Sequence, residues 1–229
     1  MHLETGLTQR QAAWTAGWSM LLMAVIAPIA HFGILAGIFR DGDAAGTLGR
    51  LTESAAAFRW ALLIFLAVLL LDIVIAWALY YLLRPVHEAL SLLAGWLRLA
   101  YSVLLGVGIF YLLDILNILN GGQTGVGDGV AAAAGSGERI LESFGQFSGS
   151  WRFSLIIFGL HLLVLGWLLL KAGYMRRVLG PLLILAGAGY ILDGVGPILS
   201  ASYSIEAAGF TFIGELLLIG WLLWAGRRH

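Results

Sequence analysis

FRWALLIFLAVLLLDIVIAWALYYLL, running from Phe58 to Leu83, is apolar almost throughout and holds one acid, Asp72, deep in its interior. At about 1.5 Å of rise per residue, a helix of this length exceeds the roughly 30 Å of hydrocarbon in a bilayer. Its apolar residues are continuous instead of alternating, which argues against a barrel strand, and a helix satisfies its own backbone hydrogen bonds in lipid. The stretch therefore predicts a transmembrane helix, and its acid needs an explanation.

Five further apolar runs flank it. The predicted spans are 14–39, 58–83, 89–119, 153–170, 178–199 and 207–224. Of the 229 residues, 60% are hydrophobic and 11% charged, with a mean hydropathy of +0.92, far from the charge that a water-soluble surface of this size needs. The fold class predicted is an all-α membrane protein, one domain over 1–229 built as a bundle of six transmembrane helices. Cysteine is absent, which excludes disulfides, thiolate metal sites and a Cys nucleophile. The first run lacks a small-residue cleavage signature and reads as a retained span.

The connections after spans two and four, RPVHE (Arg84 to Glu88) and KAGYMRR (Lys171 to Arg177), are short and basic, and each closes an antiparallel hairpin. With six spans, both ends share a side with these hairpins. That side carries Arg10, Arg84, Lys171, Arg176, Arg177, Arg227 and Arg228, against Arg40, Arg50, Arg59, Arg139 and Arg152 opposite, so both termini are expected in the cytoplasm. Of the outer connections, 41–60 suits a short interfacial helix, whereas 121–150 opens with a Gly/Ala/Ser-rich stretch and reads as a flexible loop. Its glycines neither follow a strand nor lead into a phosphate-binding helix, which argues against a nucleotide loop.

HLLVLGWLLL, from His161 to Leu170, returns as ELLLIGWLLW, from Glu215 to Trp224, and YLLD at Tyr111 to Asp114 returns as YILD at Tyr190 to Asp193. Two accounts stay open: convergent anchoring of helix ends by Trp and basic residues, or an ancestral hairpin used repeatedly with a site between the copies.

Charge in hydrocarbon costs roughly 3 kcal/mol per residue on insertion scales. Asp72 lies about 20 Å from the outer end of its span and Arg98 about 14 Å from the inner end of the next, so the two meet at similar depth on hairpin neighbours. An Asp72–Arg98 ion pair follows, either a structural lock or part of a site; a lone Arg98 snorkelling to the interface is the competing account. Arg98 has five donors, so Tyr101 or the acidic or carbonyl group of a ligand is expected beside it.

His161 and Glu215 occupy equivalent depths, and both side chains are expected to face one central volume where they share a proton. Asp193 is flanked by Gly187, Gly189, Gly194 and Gly196 and followed by Pro197, a pattern that lets its helix approach neighbours or break and free a carbonyl. Asp114, with Asn117 and Asn120 beyond it, reads as a solvated or capped carboxylate. His31 and His161 fall at comparable depth and raise, as a minor alternative, a haem with two axial imidazoles. No metal site is predicted, because no His-x-x-x-His or similar cluster occurs.

The run from Phe58 to Val86, the stretch GWLRLAYSVLLGVG from Gly95 to Gly108, and FGLHLLVLGWLLLKAGYMRRVLGPLLILAGAGYILD from Phe158 to Asp193 together resemble the bacterial membrane family known as domain of unknown function 4386. The likeness extends from Thr15 to about Gly226. It implies a six-helix integral membrane protein with no assigned activity, and Asp72, Arg98, His161 and Asp193 match polar positions of the family pattern. Glu215 and His31 do not carry over.

The function expected is non-enzymatic: a polar intramembrane pocket formed by Asp72, Arg98, His161, Asp193 and Glu215 that binds a small amphipathic ligand or relays protons, with His31, Tyr101 and Asp114 as secondary candidates. The alternatives are an accessory subunit of a larger membrane complex and, more remotely, an intramembrane enzyme or haem protein. Membrane lipids and partner membrane subunits are the expected partners. Nucleic acid is not, given zero formal net charge and basic residues placed as interface anchors. The location expected is the bacterial cytoplasmic membrane.

Overall fold

The computed structural model describes residues 7–40, 42–121, 130–200, 202–205, 207, 209 and 213–227. Every regular element among them is helical: α1 (Gln9–Pro28), continued by a π-helical stretch Ile29–Leu35 and one α turn Ala36–Ile38, then α2 (Ala44–Glu53), α3 (Ala55–Leu83), α4 (Glu88–Leu119), α5 (Val130–Lys171), α6 (Tyr174–Leu199) and α7 (Ile213–Arg227). Five helical stretches are long and apolar enough to cross a membrane: Gln9–Ile38, Ala55–Leu83, Glu88–Leu119, Gly135–Lys171 and Val178–Leu199. The protein is a helical, multi-pass membrane chain.

Among the described residues the count is five spans, against the six expected. The expected sixth, 207–224, corresponds to α7, whose 15 residues rise only about 22 Å, short of the roughly 30 Å of hydrocarbon; residues 208 and 210–212 of that expected span lie outside the described residues.

The loop expected over 121–150 is helical from Val130, where α5 begins and runs 42 residues to Lys171; residues 122–129 lie outside the described residues. Two causes overcome the glycines. Ala131 to Ala134 are the strongest helix formers, and Ile140, Ser143 and Phe147, at helical spacing, are buried.

Local chemistry sets the element ends. Asp43 caps α2 by accepting from the Gly46 N–H at 2.9 Å, and Arg50 ties back to Asp43 Oδ2 at 2.9 Å and to the Ile38 carbonyl at 2.9 Å. This is the short helix expected between the first two spans. Pro28 removes one backbone donor and crowds the preceding turn where α1 widens into the π stretch. Gly173, at φ +122°, makes the turn between α5 and α6 in a region other residues avoid. Pro197 deprives the Asp193 carbonyl of its helical donor, yet α6 continues to Leu199; of the two alternatives expected near Asp193, close approach is present at Gly187 and a break is not.

The chain forms two compact units, one of Met1–Leu22, Leu70–Val103 and Arg152–His229, the other of Met23–Leu69 and Leu104–Trp151. The second unit is built on an apolar core in which Phe58, Ala61, Phe65 and Val68 of α3 meet Leu112 and Ile115 of α4 and Phe147 of α5. Phe39 stacks on Phe144 there, with ring centroids 3.9 Å apart and planes at 4°.

In the first unit α5 and α6 touch backbone to backbone. A Cβ on Gly159 would lie 2.6 Å from the Gly187 carbonyl oxygen, and one on Gly166 would lie 2.7 Å from that of Gly180. Glycines seven residues apart on each helix thus form one seam that no larger side chain enters. Gly220, the counterpart of Gly166 in the repeated decapeptide, has nothing within 4 Å of such a Cβ. Trp221 is 8% exposed while Trp167 is 39% exposed, so the two copies pack differently despite their sequence likeness.

Candidate functional site

The first unit contains the charged cluster. Asp72 of α3 and Arg98 of α4 are 0% and 1% exposed, and Arg98 Nη2 stands 2.6 Å from Asp72 Oδ1. The pair expected from span depth is present. The approach is a charge contact more than an aimed hydrogen bond: among the described residues, both Asp72 oxygens and Arg98 Nε and Nη2 have no partner in hydrogen-bond geometry. Arg98 Nη1 faces His161 Nε2 of α5 at 3.3 Å, and Ser102 Oγ donates to the Arg98 carbonyl at 2.9 Å.

His161 is fully buried. Its Nδ1 lies 2.8 Å from the Ala94 carbonyl oxygen, which only accepts, so the proton sits on Nδ1 and Nε2 offers its lone pair to Arg98. Both ring nitrogens are therefore engaged within the chain. His31, in the second unit, stacks on Trp151 with centroids 5.7 Å apart.

Phe158, one helical turn before His161, organises the aromatic side of the cluster. Its ring lies 5.7 Å from His161, 4.9 Å from Tyr101 and 5.4 Å from Tyr190, and the Arg98 guanidinium sits 5.3 Å from its centroid. Tyr101 thus joins the site through its ring. Tyr190 of α6 donates to Glu215 Oε1 of α7 at 2.8 Å, and Glu215 lies within electrostatic range of Arg98 and Asp72. The shared proton expected between His161 and Glu215 is not found, since the imidazole is committed to Ala94 and Arg98 and the carboxylate to Tyr190.

Asp114 lies in the second unit, and Asp193 stands at the edge of the cluster, within electrostatic range of Tyr190. Asp193 Oδ1 accepts from the Tyr203 hydroxyl at 2.7 Å and from the Ala207 N–H at 2.9 Å, tying the segment after α6 back onto the helix. Loss of hydration and then the Asp193 carboxylate push the Tyr203 phenol up to about 12. Asp114 accepts from Ser143 Oγ of α5 at 2.8 Å, while Asn120 accepts from Arg59 at 2.9 Å. Among the described residues no three His, Asp or Glu side chains converge as a metal site.

Sequence reading missed the Ala94 carbonyl, Phe158 and Tyr190. A signal existed for the two aromatics: each stands three residues before a candidate, His161 or Asp193, and so shares its helix face. No side-chain pattern marks a carbonyl acceptor.

The family profile described as Domain of unknown function (DUF4386) matches residues 15–226. The chain belongs to the DUF4386 family. No curated protein and no solved structure gives a significant match. The DUF4386 description names no activity, so a functional reading rests on the site. Every residue of the charged cluster falls within the DUF4386 match.

Proposed function

We propose that this DUF4386 protein is a non-enzymatic component of the bacterial cytoplasmic membrane that binds a small amphipathic ligand at the Asp72–Arg98–His161 cluster. The observation that carries the reading is Arg98 Nε, buried and without a hydrogen-bonded partner among the described residues, while Nη2 faces Asp72 and Nη1 faces His161. A buried donor left in that state is costly, and an added acceptor relieves it. The charge count narrows the acceptor. Asp72 and Glu215 bring two acids to one guanidinium, so a neutral carbonyl group suits Arg98 better than another carboxylate.

Solvent extraction of protein purified in mild detergent tests this. Wild type is expected to release a carbonyl-bearing amphipathic compound near one per chain, and Arg98→Met to release little. A wild-type extract containing only bulk phospholipid contradicts the reading.

A second reading is an accessory subunit of a larger complex. The closure of the ion pair, at 1% exposure or less, favours it, because a pair shut away from the surface acts as a lock between α3 and α4. Co-purification of other polypeptides at fixed ratio supports that reading.

A further inference from the structure

The hairpin between α3 and α4 carries a second polar arrangement, apart from the buried cluster. His87 precedes α4, and its Nδ1 accepts from the Leu90 N–H at 3.3 Å, which leaves the ring proton on Nε2 as an outward donor. The imidazole lies edge-on to the Trp167 indole, with centroids 6.1 Å apart at 75°. Lys171 Nζ sits 5.2 Å from the Trp167 centroid in a cation–π contact. One exposed indole therefore contacts both an imidazole and an ammonium. His87, Glu88, Ala89 and Leu92 line an open recess at this place, and all four are exposed.

Among the described residues that line the recess or touch its indole, the charges are one ammonium and one carboxylate, Lys171 and Glu88, while Arg84 of the same hairpin lies over the Tyr81 ring. A phosphate suits Lys171 and His87. Glu88 beside them repels a purely anionic headgroup but accepts from a primary ammonium. Ala89 and Leu92 supply an apolar wall for the upper part of an acyl chain, and exposed Trp96, one turn beyond Leu92, continues it. We propose that this recess binds the phosphoethanolamine headgroup of a membrane phospholipid, with phosphate on Lys171 and His87 and the amine on Glu88. Phosphatidylcholine offers Glu88 no N–H, and phosphatidylglycerol offers it no cation.

Native mass spectrometry of the full chain, with phosphatidylethanolamine, phosphatidylcholine and phosphatidylglycerol of identical acyl chains added in turn, tests the assignment. Wild type is expected to retain the ethanolamine lipid about tenfold better than either other lipid, the value of one charge-assisted hydrogen bond. Glu88→Gln should abolish that preference, and Lys171→Gln should weaken retention of the ethanolamine lipid by a similar factor. Both substitutions are at exposed positions, and circular dichroism with a monodisperse elution profile checks that the variants fold. Equal retention of all three lipids by wild type, or a preference untouched by both substitutions, overturns the proposal. Free O-phosphoethanolamine that displaces the lipid at equal concentration overturns the membrane source.

Discussion

Arg98 Nη2 lies 2.6 Å from Asp72 Oδ1, and neither side chain reaches the surface. Breaking such a pair leaves a buried charge alone, at a cost of about 3–5 kcal/mol, whereas replacing both partners with apolar residues is often neutral. Asp72→Asn and Arg98→Gln should each lower stability in detergent by about that amount, and Asp72→Leu with Arg98→Met should recover most of it. Unfolding monitored by tryptophan fluorescence reads the difference, and a double variant as unstable as the singles contradicts the pairing.

The two hydrogen bonds of His161 fix its tautomer. Nitrogen NMR of the protein in lipid should show a protonated Nδ1 and an unprotonated Nε2. His161→Phe keeps an aromatic ring against Phe158 but strands Arg98 Nη1, a loss of about 1–3 kcal/mol, while the Ala94 carbonyl keeps its helical donor. A protonated Nε2 contradicts the contact with Arg98.

The glycine seam between α5 and α6 tolerates no Cβ. Gly159→Ala and Gly187→Ala each force the helices apart, with an expected cost of about 1–3 kcal/mol. Because each glycine meets the other's carbonyl, the double variant should cost less than the sum. Gly220→Ala, at an open position, should change the same measurement by less than about 0.5 kcal/mol.

Asp193 holds the segment after α6 through Tyr203 and Ala207. Asp193→Ala should speed hydrogen exchange at the Ala207 amide and leave the Asp72–Arg98 cluster unchanged. The raised Tyr203 phenol adds a pH signature. An unfolded tyrosine ionises near 10, so the contribution of this contact is complete below about pH 10 and disappears as pH rises through about 12. Ultraviolet titration of wild type against Tyr203→Phe should show one tyrosine missing from the late phase.

The long spans and the central ion pair were legible because hydropathy and depth are properties of a single helix and its hairpin neighbour. Phe58 to Leu83 falls inside α3, and Asp72 and Arg98 meet as their depths require. The start of α5 was hidden because its alanines sit inside a Gly/Ala/Ser-rich stretch that reads as a linker, while the burial of Ile140, Ser143 and Phe147 depends on the neighbours that cover them. Likeness between the decapeptides at His161 and Glu215 misled for a related reason: Gly166 closes on Gly180, and Gly220 meets nothing. Seams of this kind belong to pairs of helices: the glycines from Gly187 to Gly196 marked one helix as able to approach a neighbour closely, and not which helix it meets.

The central claim is that the Asp72–Arg98–His161 cluster is a binding site and not only a lock. Native mass spectrometry of protein released gently from its own membranes tests it most directly, with the Asp72→Leu and Arg98→Met double variant beside wild type. The account predicts a reproducible small-molecule mass on wild type that the folded double variant lacks. A wild-type chain that leaves the membrane without such a mass, or bound only to other polypeptides at fixed stoichiometry, contradicts it.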